Sequence, residues 1–255
     1  MKFKLNELDN WCRSFLAIDQ MSEKDSSLNG LQIGDRDSEV RKVAFAVDAC
    51  LETFQKAVEE GADVLFVHHG LFWGRPQAVT GPLYKRFEIL IKNGLALYAV
   101  HLPLDMHPEW GNNAVLAQIL GLENLEAFGN YKGTKIGVKG IFPSPVKRDD
   151  IVKKLFGGWE QSIQMLPFGR DAVRSVGIIS GGAPREVQDA IDEGLDLYIT
   201  GDASHEIYHI CIEAGINVIF GGHYLTETSG VQAIQKKMNK DLSLETVFID
   251  VPTGL

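Results

Sequence analysis

Short runs of unbroken apolar residues alternate along this chain with segments of helical period, and that alternation constrains the fold more than any other feature. Residues 43–48 (VAFAVD), 63–67 (DVLFV) and 95–100 (LALYAV) read as buried strands. Between them, 51–60 and 83–93 carry apolar residues at helical spacing and stop at Gly61 and Gly94. A strand apolar at nearly every position is covered on both faces, which a parallel sheet between helices achieves. Residues 112–120 read as a further helix. The rhythm then repeats, with strands expected at 136–142, 162–166, 174–180, 195–200, 216–220 and 244–251. Helices are expected at 145–156, with Pro145 near the first turn, and at 184–193, 204–214 and 224–238. Ahead of all this, 4–17 reads as a helix, and SEKDSSLNGLQIGD (22–35) as a loop turning at Asn29-Gly30.

The two halves echo one another. Residues 43–67 align without gaps on 176–200, with Ala57-Val58-Glu59-Glu60-Gly61 against Ala190-Ile191-Asp192-Glu193-Gly194 and Asp63 against Asp196. Any two β-α-β units share hydrophobic spacing, so that match alone is weak. The next strand of each half, however, ends in His-x-x-x-carboxylate: His101 to Asp105, and His223 to Glu227. The predicted class is therefore α/β: two similar α/β lobes with mainly parallel sheets, roughly 1–125 and 126–255, with a metal-binding cleft between them. Ligands of open parallel sheets sit beyond the carboxyl ends of the strands, where both motifs fall.

Composition narrows the function classes. The 255 residues are 45% hydrophobic and 23% charged, as in an ordinary globular chain, and the formal charge of −9 argues against coating nucleic acid. No apolar run is long enough to span a membrane, and the first 15 residues do not read as a signal peptide, so a cytoplasmic protein is expected. Cys12, Cys50 and Cys211 lie far apart without a CxxC, as reduced thiols would.

The seven histidines fall in four short stretches: 68–69, 101–107, 205–209 and 223. His68 and His69 end a strand, and adjacent residues of a strand point to opposite sides. Both reach one site only if the chain turns, which Gly70 allows; an imidazole satisfied in the core is the alternative. Pro103 places Asp105 in an ordered loop, with a cap on a local turn as its plainer role; the helix near Asn112 starts too far on for Asp105 to cap it. His223 and Glu227 share a helix face, as a solvated i,i+4 pair also would, and Gly221-Gly222 lets the backbone come close to a ligand. Together His68, His69, His223, Asp105 and Glu227 supply three imidazoles and two carboxylates. Such a set, free of cysteine, suits two divalent ions of Zn, Fe, Mn, Co or Ni with positions left for water. His101, Asp202 and His205 are candidates to support that site, Asp202 and Ser204 also fitting plain N-caps. Gly181-Gly182-Ala183-Pro184 reads either as an anion-holding turn or as a plain β-to-α turn; GxGxxG and the Walker lysine are absent.

NGLQ (29–32), VDA around Asp48, HHGLFW (68–73), HLPLDMHPEWGNN (101–113), GDASHE (201–206) and GGHYLTE (221–227) come in the order seen in the NIF-three-like family, which this chain resembles over essentially its whole length. Bacterial members are named GTP cyclohydrolase 1 type 2 homologues. The resemblance implies a dinuclear metal site held by His68, His69, Asp105, His223 and Glu227, in a toroidal homohexamer. It also implies hydrolytic opening of the GTP purine ring, with metal-activated water attacking C8 and nearby acids protonating the departing nitrogen. No clear triphosphate cradle accompanies it; Arg75, Lys132 and Lys135 are the nearest candidates. Two competing readings stand beside this one: a two-metal hydrolase of a phosphoester or amide, and a non-enzymatic ring or scaffold that binds or delivers metal.

Overall fold

The apolar runs and helical segments fold as alternating elements in a computed structural model that describes residues 3–21, 23–159 and 162–255. In chain order these are α1 (Leu5–Phe15), β1 (Gly30–Ile33), β2 (Lys42–Asp48), α2 (Leu51–Glu59), β3 (Val64–His69), α3 (Gly81–Lys92), β4 (Ala96–Ala99) and α4 (Leu102–Asp105). Next come α5 (Asn112–Leu120), β5 (Glu123–Tyr131), β6 (Thr134–Lys147), α6 (Arg148–Phe156), β7 (Gln164–Pro167) and β8 (Ala172–Ile178). The chain ends with α7 (Val187–Asp192), β9 (Leu197–Thr200), α8 (Tyr208–Ala214), β10 (Asn217–Phe220), α9 (His223–Leu242) and β11 (Glu245–Phe248). The α/β class holds.

The chain divides into two compact units, and the division differs from a single break near residue 125. The first holds residues 1–104 and 231–251; the second holds 105–230 and 252–255. The reason is strand pairing. β11 returns to lie parallel beside β2, with Glu245 opposite Lys42 and Phe248 opposite Phe45.

In the first unit the sheet order is β1-β4-β3-β2-β11. β2, β3 and β4 are parallel, as the unbroken apolar runs require, and all four residues of β4 are buried. The core gathers Phe54 and Ala57 of α2, Leu90 of α3, and Leu65, Val67, Leu97 and Ala99 of the strands. Gly30 to Ile33, expected as loop, pairs antiparallel with β4 as an edge strand. Four residues with one buried position are too short for periodicity to reveal. Ser22 of that expected loop lies outside the described residues.

In the second unit the order is β5-β6-β8-β9-β10-β7. β8, β9 and β10 are parallel, while β5, β6 and β7 add antiparallel pairs at the flanks. The expected helix start at Pro145 gives way to strand. β6 runs to Lys147 through a register break between Ile141 and Val146, and α6 begins at Arg148 with Asp149 and Asp150 in its first turn. Pro143 and Pro145 fall inside that break, where no ladder N–H is needed. Val176, Ile178, Leu197, Ile199 and Ile219 pack with Ile151 and Val152 of α6 on one side of this sheet. Tyr198, Val218 and Phe220 pack with Val187 and Ala190 of α7 on the other.

The echo between the halves is structural. Asp63 Oδ2 accepts the N–H groups of Arg41 (2.7 Å) and Lys42 (3.0 Å) at the start of β2. Asp196 Oδ2 accepts those of Arg174 (2.9 Å) and Ser175 (3.0 Å) in β8. Gly61 and Gly194 both end their helices at positive φ, +67° and +66°. Each aspartate ties the loop after a helix back to the neighbouring strand. The three cysteines are free, with Cys12 and Cys211 buried and Cys50 capping α2. Among the described residues no helix is long and apolar enough to cross a membrane.

Candidate metal centre

Strand ends place the histidines. In the first unit β3 carries His68 and His69 to its carboxyl end, and β4 leads into His101. The ring centroids of His68 lie 4.6 Å from His69 and 5.1 Å from His101, and each of the three residues offers a ring nitrogen within 4.8 Å of the others. Gly70 serves by its small size: a side chain there would overlap Gln32 and Ala99. Gln32 Oε1 accepts the Leu71 N–H at 2.8 Å, holding the chain close after the histidine pair.

An oxygen atom holds the Nδ1 of each of these rings. His68 Nδ1 lies 2.9 Å from the Val100 carbonyl, which can only accept, so the proton sits on Nδ1 and the lone pair on Nε2. His69 Nδ1 donates to Asp48 Oδ1 at 2.8 Å, and His101 Nδ1 to Asp25 Oδ1 at 2.9 Å. Asp25 is buried and also accepts from the Ser27 and Leu102 N–H groups and from Asn29 Nδ2. Burial alone would raise its carboxyl, yet His101, Asn29 and Ser27 outweigh that and hold it below the ordinary carboxylate value. Trp73 meets His101 edge-on at 5.0 Å. Oxygen-anchored Nδ1 atoms leave Nε2 as the donor, the arrangement found around metal-binding histidines.

The second unit carries its own buried carboxylates and one further imidazole. Asp105, which ends the one-turn helix α4 rather than lying in a loop, is buried and accepts from Asn112 Nδ2 (2.8 Å) and Ser180 Oγ (3.0 Å), both on Oδ1. Asp105 does not cap the helix that begins at Asn112; instead the Asn112 side chain donates to it directly. Asn113 fastens the same turn, donating to the Asp105 and Ile136 carbonyls and accepting the Ser180 N–H. His223 opens α9 with Glu227 one turn on, and His223 Nε2 stands 3.4 Å from Glu227 Oε1. Asp202 holds His223 Nδ1 with both oxygens at 3.0 Å. The expected supporting role of Asp202 is thus given a partner.

Other expectations resolve differently. His205 is exposed on a one-turn 3-10 helix, and among the described residues no hydrogen bond joins it to Asp202 or His223. Gly181 to Pro184 is a plain turn, because the Gly181 and Ala183 N–H groups donate to Thr226 Oγ1 and Thr200 Oγ1. Gly181, at φ +64°, lets Glu227 approach: a β-carbon there would overlap Glu227 Oε1. Gly221 makes room for Phe156 and Thr226 rather than for a ligand. Lys132 lies over the Tyr131 ring at 4.8 Å and Lys135 faces Glu193 at 3.8 Å. Asp25 and Ser180 have no signal in the sequence beyond residue type; Asn29, Asp48 and Asn112 fall within the motifs NGLQ, VDA and HLPLDMHPEWGNN, which by themselves do not reveal the hydrogen bonds these side chains make.

The chain matches the family described as Duf34/NIF3 (NGG1p interacting factor 3) over residues 3–254. It belongs to the Duf34/NIF3 family. Among relatives of this family, the protein of Archaeoglobus fulgidus named GTP cyclohydrolase 1 type 2 homolog is 44% identical, over 98% of this chain and 99% of its own. Among solved structures, TTHA1606 from Thermus thermophilus is 38% identical with a TM-score of 0.85, covering 99% of this chain and 100% of that one. Protein ybgI, described as of unknown function, is 30% identical with a TM-score of 0.90 over 99% and 100% of the two chains. The Duf34/NIF3 fold is thus shared throughout, and the chain carries histidine and carboxylate groups able to hold a metal ion.

Proposed function

We propose that this protein binds two divalent metal ions per chain, of Zn, Fe, Mn, Co or Ni, through His68, His69, Asp105, His223 and Glu227, and acts as a metal-dependent hydrolase of the GTP cyclohydrolase 1 type 2 kind. The observation that carries the reading is the orientation of the rings. The three histidines of the proposed ligand set, His68, His69 and His223, each have Nδ1 on an oxygen, which supports Nε2 as the metal-binding atom of each ring. Imidazole and carboxylate donors without thiolate fit the borderline divalent metals and a site that keeps open positions. When bound, such ions supply Lewis acidity and lower the pKa of coordinated water. The chain's own part is to hold the donors: Asp48, Asp202 and the Val100 carbonyl orient the rings, and Asn112 with Ser180 fixes Asp105. His101, backed by Asp25, is the imidazole placed to bind or to exchange a proton with substrate.

The relatives' name supports a nucleotide substrate; a toroidal hexamer follows from the family resemblance, and a cytoplasmic setting from the well-separated, free cysteines. Metal analysis should give about two equivalents per chain, and none in an Asp105→Ala, Glu227→Ala double variant. Incubation with GTP under each metal should yield a product heavier by one water. Full metal retention in the double variant would refute the ligand set. A metal-loaded protein that leaves GTP and other nucleotides unchanged would refute the hydrolase and favour metal storage or delivery. Light scattering should return six times the 28.2 kDa chain mass.

A further inference from the structure

Residues 205–209 read His-Glu-Ile-Tyr-His, two imidazoles four positions apart. On a helix, that spacing brings both rings to one metal ion, and the glutamate serves as base in zinc hydrolases. The fold puts the run at the start of α8. His205 to Ile207 form a single 3-10 turn, which passes into α8 with right-handed helical backbone at Ile207 (φ −90°, ψ −6°) and Tyr208 (φ −56°, ψ −52°). Side chains three and four apart are neighbours on such a turn. Ile207 and Cys211 turn into the core, while His205 and His209 are exposed. Among the described residues neither imidazole makes a hydrogen bond or an ion pair; His209 has the Tyr208 ring edge-on at 5.4 Å.

Glu206 separates binding from catalysis. Arg185 grips it with Nε on Oε1 at 2.7 Å and Nη2 on Oε2 at 3.1 Å, and that pairing holds its carboxyl below the ordinary value. A general base needs a carboxylate free to take a proton, and both oxygens of Glu206 are engaged. The histidines have no such tie. Neither belongs to a group of three donors among the described residues, so water completes the shell of an ion held between them. Neutral imidazoles select a borderline divalent ion. We propose that His205 and His209 form a second, solvent-exposed metal site, which captures and releases a divalent ion of the nickel, copper or zinc kind without hydrolytic activity. The site uses none of the ligands proposed above and does not rest on that reading.

Titration with nickel of protein already loaded with nickel at the proposed centre tests this, read by calorimetry and by the imidazole NMR signals of His205 and His209. One further equivalent should bind, removable by dilute chelator, and the paramagnetic ion should broaden both ring signals. His205→Ala and His209→Ala, at exposed positions, should each weaken that equivalent at least tenfold, a loss of about 1.4 kcal/mol. Glu206→Gln should leave it unchanged. So should the Asp105→Ala, Glu227→Ala double variant, which lets this site and the proposed centre fail independently. Absence of a further equivalent, one indifferent to both histidine variants, or one lost with Glu206→Gln or in the double variant would overturn the proposal.

Discussion

Replacing Asn112 by alanine tests whether the buried amide network sets Asp105. Asn112 is fully buried; its Nδ2 donates to Asp105 Oδ1 at 2.8 Å and its Oδ1 accepts the Gly230 N–H at 2.8 Å. A hydrogen bond to a charged group contributes about 1.5–3 kcal/mol and one to a backbone N–H about 1 kcal/mol. Asn112→Ala should therefore destabilise the protein by roughly 2–4 kcal/mol, read as a lower urea midpoint at unchanged slope. Asp105 would keep the Ser180 hydroxyl on that oxygen but lose the Asn112 amide. Chelator competition should then show metal affinity lowered by about 10–100-fold, the usual cost of losing a partner that orients a ligand. A stability change below about 1 kcal/mol together with unaltered metal affinity would refute the reasoning.

The equivalent aspartates make a paired test: Asp63→Ala and Asp196→Ala should each cost about 1–3 kcal/mol, measured by denaturant unfolding. Burial alone would raise the Asp196 carboxyl, but the N–H groups of Ser175 and Arg174, the Ser175 hydroxyl and Arg170 outweigh it and hold it below its ordinary value. Its stabilisation is therefore complete above the unfolded carboxyl pKa and is lost as pH falls through the lower folded one, so Asp196→Asn should flatten the acid limb of the stability curve. Gly181→Ala forces a side chain into positive φ and against Glu227, and should lower stability by about 1–2 kcal/mol while reducing metal retention. Asp25→Asn should leave His68 and His69 anchored, yet alter the His101 imidazole resonances in ¹⁵N NMR.

Much of the fold was legible because it is written locally. Val43 to Asp48 and Val64 to Val67 are apolar at nearly every position, which only a doubly covered strand satisfies. Glu123 to Tyr131 carries no strand signal, because its first five residues are exposed and show no apolar run. Asp202 apart, the roles of the anchoring oxygens were illegible for another reason. Asp25 and His101 stand 76 residues apart, and nothing in the stretch around Asp25 distinguishes it from other loop aspartates.

By itself, the sequence determined the β-α-β units, the strand ends that carry the histidines and the kinds of donor available there. Periodicity and residue chemistry depend on neighbours a few positions away, so they survive in the one-dimensional text. Tertiary structure alone decided that β11 returns to β2, that Asn112 and Ser180 hold Asp105, and that His68 gives Nδ1 to the Val100 carbonyl and so keeps its lone pair on Nε2. Those outcomes depend on register and on hydrogen bonds between distant residues, which exist only once the chain has closed upon itself.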